Sequence, residues 1–301
     1  MAPALVRSVY RTVLPTALRS RIRDKRYARI RRVNVQLPAP PDGSVRPRQV
    51  RLSAPSGFVI PRMLAATGLA GYEPETLATF LAAVDHAPPG AVLDIGANVG
   101  VYGLLARALS DRDVHAFEPV PALAEIAIRT SVDNQLPYAV VQQAVGRAPG
   151  EATLYLSDVS DSSNSLNPRF RTSSRSLTVS VTTVDQYVAM TGIAPSIIKI
   201  DTETFEPDVL AGARETMRAH RPWLLVEVLP GRTEAALTEE MSAWGYSWYR
   251  CVGDPPYDAR TDLLAIDDTA APMWLMLPAP ATDAFWARAL DWLAALRNCT
   301  P

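Results

Sequence analysis

The stretch Ala91-Val92-Leu93-Asp94-Ile95-Gly96-Ala97-Asn98-Val99-Gly100-Val101-Tyr102-Gly103 decides how this chain folds. A short apolar run closes on a carboxylate and passes at once through Gly96 and Gly100 into a helical pattern. That predicts a buried strand turning into a helix around a ligand. Glycine lets the backbone approach a ligand where a Cβ would clash, and the helix presents unpaired N–H groups and its positive dipole end to polar ligand atoms. Asp94 narrows the choice of ligand. A carboxylate at the end of this strand repels a pyrophosphate such as that of NAD. It tolerates a cofactor carrying an ammonium and a sulfonium, which is S-adenosylmethionine.

Outward from this turn, strands are expected at 91–95, 113–118, 139–145, 197–201 and 223–228, with helices at 99–109, 121–131 and 208–218 between them. Such alternation predicts right-handed crossovers, a mainly parallel sheet and a ligand beyond the carboxyl ends of its strands. Residues 246–252 and 273–277 are expected to add a final antiparallel pair. Upstream, strand-like pieces at 49–52 and 57–60 precede a helix begun by Glu73-Pro74-Glu75, placed as a lid or packing helix beside the cofactor turn. Residues 152–156 and 177–181 read as strands flanking 157–176, where eight of twenty residues are serine. So long a polar insertion is either disordered or a loop that closes over substrate. The segment 283–297 is a helix whose stripe of Phe285, Trp286, Leu290, Leu293 and Leu296 is expected to pack on the domain or on a second subunit.

A chain of 301 residues is long enough for one large domain with a buried core. Its net charge of -1 hides an asymmetry: residues 1–32 hold ten Arg or Lys against one acid, which leaves 20 basic and 30 acidic residues in the rest. An acidic body argues against nucleic acid as substrate. The basic, amphipathic segment 3–32 suits a solvated helical arm first, and an anionic membrane surface or a partner second. A proline-rich linker at 36–47 follows, so the expected division is a basic arm and linker over 1–47 and a catalytic domain over 48–301. Two cysteines, the lack of an apolar run of membrane-spanning length and the lack of a visible secretory signal lead to the expectation of a cytoplasmic protein.

Glu118 closes the second strand 24 residues after Asp94, where a carboxylate accepts the ribose hydroxyls of an adenosine cofactor, and Pro119 sets the exit of the chain. The cofactor set is then Asp94, Gly96, Ala97, Asn98, Gly100, Glu118, Pro119 and, near the end of the third strand, Ala144. The second constellation lies around strand 197–201. Strand periodicity puts Lys199 and Asp201 on one side, joined by Glu203 if the extended run continues. Lys199 is the only lysine beyond residue 25, so a compact ammonium is wanted there, either for catalysis or in a buried ion pair. Asp201 or Glu203 is the expected general base, with Lys199 orienting it. Glu227, an acid in an apolar strand, needs a partner or an open edge. No metal is assigned. The histidines and cysteines lack ligand spacing, and Mg²⁺ held by Asp201, Glu203 and Glu227 needs a convergence of oxygens that sequence does not place.

The motifs Asp94-Ile95-Gly96-Ala97-Asn98-Val99-Gly100, Phe117-Glu118-Pro119, Thr183-Val184-Asp185, Lys199-Ile200-Asp201-x-Glu203-x-x-Glu206 and Val209-Leu210-x-Gly212 occur in an order and spacing that resemble the FkbM-type methyltransferases. The resemblance implies an α/β class I methyltransferase (Rossmann-like) domain with a mainly parallel seven-stranded sheet and flanking helices. It further implies S-adenosylmethionine as cofactor and O-methylation of a hydroxyl on a sugar, glycolipid or secondary metabolite. One position departs: the family's Asp-x-Glu-Gly-x-Glu has Thr204 in place of glycine, and a β-branched residue resists φ > 0, so an altered loop path or substrate pocket is expected. Two other readings stay open at this point, a nicotinamide oxidoreductase on a similar fold and a non-catalytic protein that binds S-adenosylmethionine.

Overall fold

The computed structural model describes residues 30–158, 160–263 and 273–301. The expected basic arm lies outside the described residues up to position 29. From Ile30 onward the chain belongs to the folded unit: β1 (Ile30–Gln36) pairs antiparallel with β2 (Gln49–Pro55), and Val33, Val35, Val50 and Leu52 alternate into the core. The folded unit therefore includes the 30–47 stretch that composition assigns to arm and linker, because the prolines of 38–47 end a strand without preventing pairing on either side of them. The piece at 57–60, expected as a strand, opens α1 (Val59–Thr67), whose Ile60 and Leu64 are buried one turn apart. So short an apolar run cannot distinguish the two periods.

The chain continues through α2 (Pro74–His86), β3 (Ala91–Ile95), α3 (Val101–Leu109), β4 (Val114–Phe117), α4 (Pro121–Asp133), β5 (Ala139–Val141), β6 (Ala144–Val145), β7 (Gly150–Leu156), β8 (Arg175–Thr182), α5 (Val184–Thr191) and β9 (Pro195–Ile200). It ends with α6 (Glu206–Ala211), α7 (Arg214–His220), β10 (Trp223–Glu227), α8 (Glu234–Ser242), β11 (Ser247–Arg250), β12 (Ala259–Arg260), β13 (Met273–Leu277) and α9 (Asp283–Arg297).

The large sheet has the order β12-β11-β13-β10-β9-β3-β4-β5. Strands β5, β4, β3, β9 and β10 run parallel, and β13 inserts antiparallel between β10 and β11. Apart from the two-residue edge strand β12, this is the seven-stranded class I methyltransferase arrangement. Every residue of β3 and of β9 is buried, as expected for central parallel strands covered by helices on both faces. The winding reverses between β3 and β9. In an open parallel sheet that switch point opens a crevice beyond the carboxyl ends of the two strands.

Two further stretches differ from expectation, and the C-terminal helix packs as expected. The 139–145 stretch divides between two sheets, β5 in the large one and β6 in a three-stranded sheet of order β6-β8-β7. The helix expected at 208–218 is two helices broken at Gly212, where a Cβ would sit 2.1 Å from the Gly146 carbonyl oxygen. The C-terminal stripe packs on the domain through Phe285, Trp286, Leu293 and Leu296, with Trp292 Nε1 donating to Asp85 Oδ2 at 2.9 Å on α2, while Leu290 faces outward. Among the described residues no helix is long and apolar enough to cross a membrane.

Candidate active site

At the β3–α3 turn, Gly96 has φ 80°, and a Cβ there would lie 1.8 Å from the Asp201 carbonyl oxygen. Glycine thus serves the close approach of two strand ends: Asp201 N donates to Ile95 O at 3.0 Å, and the turn is pressed onto the exit of β9. Asn98 takes φ 52°, and its Oδ1 accepts from Val99 N at 2.9 Å, the local bond that makes a left-handed asparagine tolerable. Its backbone N–H donates to Glu118 Oε2 at 2.9 Å, while Glu118 Oε1 accepts from Val120 N at 2.8 Å. Burial pushes the Glu118 carboxyl up to about 7, against the pull of those two N–H groups.

These residues wall a cleft beyond the carboxyl ends of β3 and β9. Of the expected cofactor set, Gly96, Asn98, Glu118, Pro119 and Ala144 line it. Ala97 and Gly100 shape the turn from within; Ala97 N, for instance, donates to Phe117 O at 2.9 Å. Asp94 is placed differently from expectation. It is fully buried beneath the turn, where its Oδ2 accepts from Gly103 N at 3.0 Å, in the first turn of α3. A carboxylate satisfies that helix terminus and its dipole, so its charge faces inward and does not read the ligand. The cleft wall instead carries Glu118, Asp161, Asp201 and Glu203 and, among the described residues, no Arg or Lys. Such a wall disfavours pyrophosphate and suits a cofactor that is cationic at its reactive end.

Beneath the cleft, Lys199 Nζ lies 3.1 Å from Asp201 Oδ2, 3.7 Å from Asp94 Oδ1 and 4.7 Å from the centre of the Tyr102 ring. Burial opposes its charge, but Asp201, Asp94 and Glu73 outweigh burial and hold its pKa above the ordinary lysine value. Lys199 is therefore a buried ammonium that positions Asp201, and it forms no part of the cleft wall. Glu73, which sequence reading treats only as a helix start, is the missed member of this group. It accepts from Tyr102 Oη at 2.8 Å from a backbone held at φ 47°, and burial raises its pKa.

Asp201 and Glu203 both line the cleft, but strand alternation is not what brings Glu203 there. Strand β9 stops at Ile200, and a turn with φ 56° at Glu203 and 86° at Thr204 swings the chain back. Glu206 closes this turn: its Oε1 accepts from Thr202 N at 2.8 Å, Thr202 Oγ1 at 3.0 Å and Thr204 N at 3.2 Å. Thr204 thus takes a positive φ of 86°, the backbone region that glycine occupies without strain. A β-branched residue pays about 1–3 kcal/mol for such a backbone, and the serine-rich segment supplies the compensation. Asn167 Nδ2 donates to Thr204 Oγ1 at 3.1 Å, and Ser165 Oγ donates to Glu203 O at 2.5 Å. The same segment lines the cleft through Asp161, Ser162, Asn164 and Leu166, residues without a sequence signal beyond their loop composition. Asn167→Ala should cost about 1 kcal/mol and increase proteolytic nicking within 157–176 several-fold; unchanged nicking would show that Asn167 does not hold the segment.

Glu227 ends β10, and an oxygen from each of Asp201, Glu203 and Glu227 lies within 4.8 Å of the others. Burial and the neighbouring carboxylates raise the pKa of Glu203, Glu206 and Glu227 alike.

Comparison with known proteins adds the following. Residues 94–247 match the model of the methyltransferase FkbM domain. No curated protein matches the chain. Similar solved structures include methyltransferase FkbM from Methylobacillus flagellatus KT, 17% identical over 62% of this chain with a TM-score of 0.39. The O-methyltransferase TomG from Streptomyces achromogenes is 15% identical over 68% of this chain and 79% of its own, with a TM-score of 0.38. Magnesium protoporphyrin IX methyltransferase from Synechocystis PCC 6803 is 11% identical over 67% of this chain and 76% of its own, with a TM-score of 0.39. The chain spans 43% of the length of the Methylobacillus structure.

Proposed function

The chain belongs to the FkbM family of S-adenosylmethionine-dependent methyltransferases, and from that premise we propose that it methylates a hydroxyl oxygen of a sugar, glycolipid or hydroxylated secondary metabolite. The observation that carries this reading is the placement of Asp201 and Glu203 in the same cleft wall as Gly96 and Glu118, with no Arg or Lys of the described residues in that wall. Carboxyl oxygens accept hydrogen bonds, so this part of the cleft suits a ligand that presents hydroxyl donors.

When bound, S-adenosylmethionine supplies an electrophilic methyl group on a sulfonium. Glu118 accepts from the ribose hydroxyls, and Gly96, Asn98, Pro119 and Ala144 form the surface on which the cofactor lies. Asp201 and Glu203 draw the hydrogen of the acceptor hydroxyl and turn its oxygen towards the cofactor. Lys199 holds the Asp201 carboxylate from below. The serine-rich segment, tied to the Glu203–Thr204 turn, keeps water from the reacting groups. Holding the reactants in one orientation is worth up to about 7–11 kcal/mol of barrier, so most of the rate is assigned to positioning.

Two measurements test the reading. S-adenosylhomocysteine should raise the melting temperature and NAD should not, because only a ligand that binds the native state stabilises it, by about 2.7 kcal/mol at a hundred times its Kd. Label from the cofactor methyl should then appear as an ether in a panel of hydroxylated acceptors. Label on nitrogen or carbon would overturn the choice of oxygen, and bound cofactor that is never consumed would establish a non-catalytic binding protein.

A further inference from the structure

We propose that Asp201, Glu203 and Glu227 form a binding site for a hard divalent cation of the Mg²⁺ or Mn²⁺ class, set in the wall where the acceptor hydroxyl lies. The three carboxylates reach one place by two independent routes. In the parallel pairing of β9 with β10, Val226 stands opposite Ile200, so the next residues, Glu227 and Asp201, leave the sheet side by side. The turn with positive φ at Glu203 and Thr204 then folds Glu203 back onto that pair. Oxygens on opposite sides of an ion are separated by twice the metal–oxygen distance, about 4.2 Å for Mg²⁺ and about 5 Å for Ca²⁺. The three ligand atoms all lie within 4.8 Å of one another, close enough to share one ion of this size.

Proximity of acids alone is no site. The second observation is Glu227 itself, 8% exposed, with Oε2 buried and without a hydrogen-bond partner. A lone buried carboxylate oxygen costs free energy, and no donor among the described residues meets this one. Lys199, the buried cation of this group, is already shared between Asp201 and Asp94. Glu206 cannot relieve the cluster, because it adds charge while its Oε1 is committed to Thr202 and Thr204. An oxygen-ligated divalent cation resolves the imbalance with the donor set present, and carboxylate oxygens without nitrogen or sulfur select Mg²⁺ or Mn²⁺ over softer metals. The remaining coordination positions face the cleft, since Asp201 and Glu203 line it. There the ion would take the acceptor hydroxyl as a ligand, a role that rests on the O-methylation reading, whereas the binding itself does not.

The experiment is titration of the full-length chain with Mn²⁺, followed by calorimetry and by the electron paramagnetic resonance signal of the bound ion. Wild type should show one saturable site, with Mg²⁺ competing. Glu227→Gln should weaken Mn²⁺ binding at least tenfold, while melting no lower than wild type in the absence of the ion and keeping the same thermal shift with S-adenosylhomocysteine. Absence of saturable binding, or full Mn²⁺ affinity in Glu227→Gln and in Glu203→Gln, would overturn the site. If the ion binds and label moves to a nitrogen, the O-methylation reading fails and the site stands. If labelled transfer to oxygen runs undiminished in chelator, the role given to the ion fails.

Discussion

Lys199→Met should destabilise the domain by about 3–5 kcal/mol, the usual cost of removing one partner of a buried ion pair. The stem is replaced by an apolar chain of similar length, so the loss is electrostatic in origin and not a cavity. Asp94 is fully buried and its Oδ1 has no hydrogen-bond partner, so the ammonium 3.7 Å away is what compensates it. Without Lys199, burial raises the Asp94 pKa further above the value it already has. The sign of the pH dependence follows. A carboxyl whose folded pKa lies above its unfolded value binds a proton more tightly when folded, so stability is greatest below the unfolded pKa and falls as pH rises towards the folded one. The deficit of the variant should therefore narrow as pH falls towards the unfolded carboxyl pKa. Denaturant melts at several pH values measure this directly. A deficit under about 1 kcal/mol, or one independent of pH, would mean that the Lys199–Asp94 pair is not the keystone of the turn.

Glu118→Ala should weaken binding of S-adenosylhomocysteine by roughly tenfold to 150-fold, the worth of a charged hydrogen bond of about 1.5–3 kcal/mol. Glu118→Gln should lose less, because it keeps the shape and one acceptor oxygen. Wild type carries a further signature. Burial holds the carboxyl at about 7 in the free protein, and the ribose hydroxyls donate to its ionised form. Below that pH a proton must leave before the cofactor is bound, so affinity should fall about tenfold per pH unit as pH drops below about 7 and level off above it. Calorimetry across that range, with Glu118→Gln as the flat control, decides the matter. A pH-independent affinity in wild type would remove Glu118 from the ribose.

How far the site was legible in sequence differs from residue to residue. Glu118 and Gly96 stand where strand-end spacing puts them, since both depend only on where a short strand stops and how the next turn must bend. Asp201 follows from the same logic. Glu203 reaches the cleft for a different reason than the one read from it: alternation fails after Ile200, and the turn depends on Glu206 and on a loop some forty residues upstream. Thr204 looked incompatible with the turn because the compensating donor, Asn167, is invisible in its own neighbourhood. Residues 139–145 form two short strands because the chain passes from one sheet to another between Val141 and Ala144, a decision taken by partners and not by local pattern.

The sequence by itself determined the alternating fold, the cofactor turn and the strand ends that carry Glu118 and Asp201. Each of these follows from periodicity, glycine freedom and spacing within a few residues. Only the tertiary structure decided which charges meet. Parallel register sets Asp94 beside Lys199 and Glu227 beside Asp201 from segments tens of residues apart. Such pairings are properties of strand order, which no local stretch encodes. The side of β3 on which Asp94 is buried was settled likewise, by the free N–H groups of α3, which turned an apparent ligand contact into the support of the turn.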